Sequence, residues 1–499
     1  MVFSKIHSAQ PDLLVANKVD IEIDLSRGLH SFSIIGLPDK SIEESRGRVS
    51  SAIKNSGFIS PKQKNHKITI SLTPANTKKS GSIFDLPIAL GYLKSSKQIN
   101  INTKNKLFVG ELSLDGKIKE VAGIIQIIMY AKENNFKEVY IPNENKLTAS
   151  IINGIKIYPI KNLRELTEHL QNKTKIEKIK NSKIKITRKL EYDFKDIKGN
   201  TESKRAILIA AVGGHNICLY GPPGTGKTIL SKSFCGILPS LNYKDLIEVS
   251  SIHSITENIS NVITSPPFRS PHHTSSYSSI VGGGKDIRPG EITLAHKGVL
   301  FLDEFPEFDN RVINSLRQPI EEKVIRISRS SKTVTYPCDF ILILALNPCP
   351  CGFFKNEKKE CRCSHQEISN YRKKISGPIQ DRVDIFTEVS KIDYKKLTNK
   401  KEEESSIELS QKVNKAREIQ INRQQKLNSN LTNREIETSI ENKEMIKRFN
   451  KIAEKLNVST RSYYKILKIS RTIADIEKSA QIKMPHILEA LQYRNKLNY

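Results

Sequence analysis

The chain is 499 residues long, 37% hydrophobic and 27% charged, with 24 glycines and 21 prolines. At roughly 150 residues per domain that length suits about three domains, and the composition is globular rather than disordered or collagen-like. Lys and Arg number 81 against 53 Asp and Glu, a formal net charge of +28.

No apolar run approaches the roughly 20 residues of a membrane helix, and no membrane association is expected. The first residues lack the basic-then-apolar pattern of a secretory signal. Seven cysteines, an odd number with four in one short cluster, do not read as a secreted disulfide framework. The chain reads as cytoplasmic. The charge excess points to a polyanionic partner. Abundant Lys, Asn and Ile without Trp give compositional drift an equal claim, so charge alone does not select nucleic acid.

In chain order, residues 1–171 read as an α/β domain. Ser41 to Ser56 places Ile42, Val49 and Ile53 on one helical face, with a stop near Gly57. Lys67 to Leu72 alternates with period two and reads as a strand. Val121 to Asn134 reads as a helix, followed by a strand from Glu138 to Ile141. Residues 172–190 are basic and poor in large apolar side chains, and read as a linker. Part of the segment alternates Ile with Lys, which also suits an exposed strand.

Residues 191–392 alternate apolar runs with helical patterns. Asn216 to Tyr220, Val299 to Leu302 and Phe340 to Leu346 suit strands buried on both faces of a parallel sheet. Residues 393–499 carry mostly helix signal. Ile407 to Gln424 and Ser459 to Ala474 repeat apolar residues at three- and four-residue spacing, and Met484-Pro485 opens a last helix.

Gly221, Pro222, Pro223, Gly224, Thr225, Gly226, Lys227 and Thr228 follow the first apolar run and precede a helical pattern, the context a phosphate loop requires. Glycines let backbone N–H groups turn toward phosphates, and the helix N-terminus favours an anion. Lys227 is the point charge for the β- and γ-phosphates of ATP, and the Thr228 hydroxyl reaches Mg²⁺. The run Val299 to Leu302 ends in Asp303 and Glu304, about 75 residues further on. Asp303 suits Mg²⁺ held through water, and Glu304 the orientation and deprotonation of an attacking water. Asn347, at the end of the next strand, is placed to hold that water, although Asn at a strand end is commonly a turn former. Hydrolysis at such a site also needs a cation on the γ-phosphate in the transition state, often from a neighbouring subunit. Arg382 is the first candidate and Arg461 the second.

These residues sit among longer strings: F-R-S-P-H-H-T-S-S from Phe268, R-P-G-E-I-T-L-A-H-K-G-V-L-F-L-D-E from Arg288, L-R-Q-P-I-E from Leu316, N-P-C-P-C-G from Asn347, S-G-P-I-Q-D-R-V-D ending at Asp384, and R-S-Y-Y-K-I-L-K-I-S-R-T-I-A-D-I from Arg461. Together they resemble the magnesium-chelatase-like AAA+ ATPases of the ComM/YifB type across essentially the whole chain. The resemblance implies an α/β fold with a Lon-protease-like N-terminal domain, an AAA+ P-loop core and a helical C-terminal lid. It also implies a homo-hexameric ring that hydrolyses ATP with Mg²⁺ to drive helicase work and branch migration on DNA, single-stranded or branched. Natural transformation and homologous recombination would be the setting, with recombination proteins as partners. In that pattern Asn347 is the first sensor, Arg382 an arginine finger acting in trans, and Arg461 the second sensor, serving its own nucleotide or a neighbour's.

Lon-type peptidases use a Ser nucleophile activated by Lys. The matching string here, Lys79 to Leu90, puts Ile83 at the nucleophile position and Ile125 at the lysine position. Aliphatic side chains neither attack nor accept a proton, so a Lon-like fold without peptidase activity is expected. Ser82, one residue out of register, reads as a turn residue.

Cys349, Cys351, Cys361 and Cys363 form C-x-C-x9-C-x-C, tighter than the usual knuckle. Four thiolates this close suit a structural, tetrahedral Zn²⁺, with His365 as a replacement ligand and free thiols as the alternative. The loop Gly282 to Gly290 interrupts an expected helix, and Arg326 to Thr335 alternates like a hairpin with a basic tip. Lys285, Arg288, Arg326, Arg329 and Lys332 are the candidate phosphate contacts of a sequence-independent, salt-sensitive DNA grip, with solvated basic loops as the alternative. His272 and His273 read as structural or subunit-contact residues. Three other functions remain open: a chelatase motor that drives metal into a tetrapyrrole, an ATP-dependent protease-like regulator, and a DNA-binding scaffold that uses ATP only to assemble.

Overall fold

The structure is a computed structural model. It describes residues 2–180, 192–256, 262–284, 287–329, 332–354, 359–375, 379–391, 403–440 and 442–494. The contacts divide the chain into two units, residues 1–185 with 246–263, and residues 186–245 with 264–499.

The first unit carries strands β1 (Val2–Asp12), β2 (Val15–Arg27), β3 (Ser31–Ile35), β4 (His66–Thr73), β5 (Lys106–Phe108), β6 (Glu111–Leu112), β7 (Ile118–Lys119), β8 (Glu138–Pro142) and β9 (Lys156–Ile160). Seven of them form one mixed sheet in the order β3-β4-β2-β1-β5-β8-β9. Alternation in β4 buries Ile68, Ile70 and Leu72, as period two requires. The helix Lys40–Asn55 starts where the Asp39 carboxylate accepts from the Ile42 N–H, a side-chain N-cap. It buries Ile42, Val49 and Ile53, the face read from the sequence. Residues 246–263 join this unit. The Gln126 amide donates to the Ser251 carbonyl at 3.0 Å and to the Ser254 hydroxyl at 3.1 Å. The described part of the 172–190 segment is not bare: Ile176 is buried, and the Ile179 N–H donates to the Ile157 carbonyl. Its remainder lies outside the described residues.

The second unit carries β10 (Ile217–Tyr220), β11 (Phe268–Arg269), β12 (Gly282–Gly283), β13 (Arg288–Pro289), β14 (Val299–Leu302), β15 (Val324–Arg329), β16 (Lys332–Pro337), β17 (Ile341–Leu346) and β18 (Ile385–Glu388). Five form a parallel sheet in the order β11-β14-β17-β10-β18. Every residue of β14 and β17 is buried, as expected of strands covered on both faces. The covers are helices. Thr201–Gly213 and Lys227–Ile237 share one apolar cluster with the C-terminal helices Ser406–Gln424, Lys443–Lys455, Thr460–Ile476 and Met484–Gln492. The helical region therefore has its core in common with the parallel sheet. The expected interruption lies between Tyr277–Val281 and Glu291–Leu294, where β12 and β13 pair. The expected hairpin is β15–β16, with Arg326 opposite Thr335 and Arg329 opposite Lys332. Among the described residues no helix is long and apolar enough to cross a membrane.

Candidate functional site at the ends of the parallel strands

In a parallel sheet all strands end on one edge. β10 runs into Gly221, β14 into Asp303 and β17 into Asn347, so residues far apart in sequence converge there. Gly224 and Gly226 adopt φ of +76° and +93°, the left-handed region that glycine enters freely. A Cβ on either would meet nothing within 4 Å, so this backbone is bare toward open space. Lys227 opens the following helix and is 7% exposed. Its ammonium donates to the Gly221 carbonyl at 2.7 Å, the Pro222 carbonyl at 2.9 Å and the Asn347 side-chain oxygen at 3.1 Å. Burial lowers its pKa, against the opposing fields of Asp303 and Glu304.

The Thr228 hydroxyl donates to Asp303 Oδ2 at 2.8 Å. A hydroxyl and a carboxylate meeting beside an open loop suit a hard, oxygen-seeking ion such as Mg²⁺, which supplies charge neutralisation for phosphates. Glu304 has φ of +49° and an exposed carboxylate. His273 Nδ1 lies 3.5 Å from Glu304 Oε2. Nothing along the chain beyond the paired histidines pointed to that neighbour, because β11 and β14 become adjacent only in the sheet.

Arg382 and Arg461 lie elsewhere. Arg382 precedes β18, and its carbonyl accepts from the side chain of Asn216, which precedes β10. Both therefore mark the strand beginnings, the edge opposite Lys227. A strand of four to six residues, such as β10 or β17, spans about 13–20 Å. Arg461, at the start of its helix, reaches the same edge: Arg382 and Arg461 each donate through Nη2 to Glu321 Oε1. A cavity of about 1230 Å³ opens here, lined in part by Glu321, Arg382, Asp384, Arg461 and Lys465. The sequence picked both arginines as site residues but not Glu321, although its helix, Arg317–Glu322, falls in the string L-R-Q-P-I-E that carries the resemblance.

Of the candidate DNA contacts, Arg326 is exposed on β15 and lies 3.8 Å from Glu322. Arg288 is exposed on β13. The backbones of Arg329 and Lys332 flank the hairpin tip, while their side chains and all of Lys285 lie outside the described residues. The four clustered cysteines bring their sulfurs within 4.8 Å of one another.

In the first unit Ile83 and Ile125 are core residues. The Ser82 hydroxyl donates to the Glu111 carboxylate. The buried Lys79 ammonium is bound instead by the carbonyls of Pro74 and Thr77.

Three segments match models of magnesium chelatase subunit ChlI: residues 21–145, residues 193–397 and, for its C-terminal region, residues 403–494. The chain is 40% identical over 485 residues to competence protein ComM of Haemophilus influenzae, covering 95% of this chain and 94% of that protein. It is 37% identical over 501 residues to YifB of Escherichia coli, covering 99% and 97%. With YifB of Salmonella typhimurium it shares 37% over 484 residues, covering 96% and 94%. A match of that depth over nearly the whole length, with a phosphate loop at a parallel sheet edge, has one meaning: this chain belongs to the ComM/YifB family of magnesium-chelatase-like AAA+ ATPases.

Proposed function

We propose that the protein is a DNA motor that hydrolyses ATP with Mg²⁺ and works as a homo-hexameric ring in recombination and natural transformation. One observation carries the ring. Arg382 and Arg461 stand at the strand edge opposite Lys227, too far to reach a phosphate bound on their own chain. Each nucleotide then needs a neighbouring chain to supply cations, and a closed ring gives every subunit that neighbour.

At the site, Gly221–Thr228 cradle the phosphates and Lys227 contacts the β- and γ-groups. Thr228 and Asp303 hold Mg²⁺. Water attacks the γ-phosphorus, its proton passes to the Glu304 carboxylate, and the bond to the β-phosphate oxygen breaks to leave ADP. Asn347 fixes Lys227 and the water. Arg382 and Arg461 neutralise charge developing on the neighbour's phosphate. The N-terminal unit carries the Lon-like fold without its peptidase, since Ile83 and Ile125 stand where nucleophile and base are needed and Ser82 is engaged by a carboxylate. The four-cysteine cluster holds structural zinc.

Support for DNA comes from the +28 charge, the hairpin bearing Arg326, and full-length similarity to a protein named for competence. The chelatase reading draws on the family models' name, but the relatives that match end to end are ComM and YifB. The deciding experiment measures ATP hydrolysis with single-stranded, duplex and branched DNA at two salt concentrations. Stimulation by DNA that weakens with salt is expected. Turnover unaffected by every DNA would end this reading and revive the chelatase one, and casein degradation abolished by Ser82→Ala would favour the protease.

A further inference from the structure

We infer that Cys349, Cys351, Cys361 and Cys363 hold a single zinc ion, and that this ion braces the phosphate loop. The second half rests on the nucleotide reading of that loop; the first does not.

The sulfurs are already placed for one ion. Cys349 Sγ lies 3.4 Å from Cys351 Sγ and 3.7 Å from Cys361 Sγ, and Cys351 and Cys361 are 3.6 Å apart. A tetrahedron with zinc–sulfur bonds of about 2.3 Å has edges of about 3.8 Å. The backbone also supplies the amide donors that steady metal-bound sulfur. The Phe354 N–H donates to Cys349 Sγ and the Cys351 N–H to Cys363 Sγ, both at 3.3 Å. None of the seven cysteines is in a disulfide. Four protein sulfurs complete the tetrahedron and leave no position for substrate, so the ion is structural. A multi-iron cluster would hold its sulfurs farther apart than these edges.

The ion's effect on the nucleotide site follows from Gly352. Its N–H donates to the Cys349 carbonyl at 2.9 Å, closing a turn between two ligands and the loop beyond. Its φ is +80°, and a Cβ there would fall 2.5 Å from Pro223 Cδ, 3.0 Å from Pro223 Cγ and 3.8 Å from Asn347 Cγ. The turn thus lies directly against the phosphate loop and against the residue that accepts from Lys227. On its far side Cys363 leads into the helix His365–Ile375. Metal coordination ties Cys349 and Cys351 at one end of this segment to Cys361 and Cys363 at the other, and so limits the movement of the turn against Pro223. Among the described residues the two halves also meet where Lys359 lies over the Phe353 ring and Arg372 over the Phe354 ring; the ion adds the links between the sulfurs.

The test uses full-length protein purified without chelator. Elemental analysis is expected to find one zinc per chain. Refilling stripped protein with Co²⁺ alone is expected to give the visible bands and strong sulfur-to-metal charge transfer of tetrahedral tetrathiolate cobalt. Neither measurement needs ATP or DNA, so failure of the motor reading leaves them unaffected. Stripped protein is expected to bind a fluorescent ATP analogue about tenfold more weakly, the scale of a displaced positioning group, and zinc to restore binding. Gly352→Ala keeps all four sulfurs and crowds Pro223. It is expected to retain zinc and lose affinity to a similar extent. Absence of stoichiometric zinc, stoichiometric iron in its place, or disulfides among the four overturns the site. Full zinc with ATP binding indifferent to stripping and to Gly352→Ala overturns the brace.

Discussion

Arg382 and Arg461 donate to the same oxygen of Glu321, at 2.8 and 2.7 Å. Partial burial works against ionisation of that carboxyl, but bonds from the two guanidiniums hold it below the ordinary range. One anion thereby gathers two cations from different parts of the chain and holds them at the strand edge remote from their own phosphate loop.

In the proposed ring the nucleotide site is shared between neighbouring subunits, and mixing reports it. Lys227→Ala should fail to bind ATP, and Arg382→Ala should bind ATP but lose about 10³-fold or more in turnover, as for other arginine fingers. Mixed together, the two inactive proteins should regain hydrolysis, because a lysine-bearing subunit meets an arginine-bearing neighbour. No recovery in mixed oligomers would place Arg382 on its own nucleotide. Glu321→Ala should lower turnover more than ATP affinity, by releasing both arginines from one anchor.

Glu304→Gln should trap ATP. The amide keeps the shape of the carboxylate but takes no proton, so turnover should fall about 10²- to 10⁴-fold with nucleotide affinity nearly unchanged. Single-turnover hydrolysis and equilibrium binding separate the two effects. His273→Ala removes the imidazole 3.5 Å from that carboxylate and should alter turnover without altering ATP affinity.

DNA binding should fall linearly with salt on logarithmic axes, by roughly one unit of slope per phosphate neutralised. Arg326→Glu should weaken all sequences alike and reduce that slope by about one or more. Fluorescence anisotropy across a salt series measures both. An unchanged slope would remove the hairpin from the DNA path.

Acid should destabilise the second unit through Asp384. Burial opposes its ionisation, yet the field of Lys465 at 3.6 Å, His215 and the Asn216 N–H bring its pKa down to about 2 from 3.8. A folded pKa below the unfolded one contributes stability that is complete above about pH 4 and disappears as pH falls toward 2. The share is about 2 kcal/mol. Asp384→Asn removes the carboxylate nearest the buried Lys465, whose ammonium keeps the Val383 carbonyl as acceptor, and should cost about 2–3 kcal/mol at neutral pH. Denaturant unfolding of the parent from pH 7 down to pH 2, and of the variant at pH 7, checks both numbers.

Much of the candidate phosphate site was legible as local structure because its signals are local. A strand, a glycine-rich turn and a helix occupy consecutive residues from Ile217 to Ile237, and the acidic pair is written at the end of its own strand. The core strands were readable for a similar reason, since burial on both faces leaves unbroken apolar runs. Hairpin and interrupted helix were likewise visible in alternation and glycine. The grouping of residues 246–263 with the first unit was not, because nothing local distinguishes a helix that packs on one unit from a helix that packs on another.

The sequence by itself determined the chemical groups on offer: which residues form a phosphate-loop motif, which carboxylates end a strand, and which arginines and cysteines are available. Tertiary structure alone decided their company. The strand order β11-β14-β17-β10-β18 is not the order of the chain, and it is this order that sets Asn347 against Lys227, His273 against Glu304, and Gly352 against Pro223. Direction decided the rest. In a parallel sheet, strand starts and strand ends lie on opposite edges, so Arg382 and its partner on Glu321 are separated from Lys227 by the length of a strand, a distance no reading of spacing along the chain reveals.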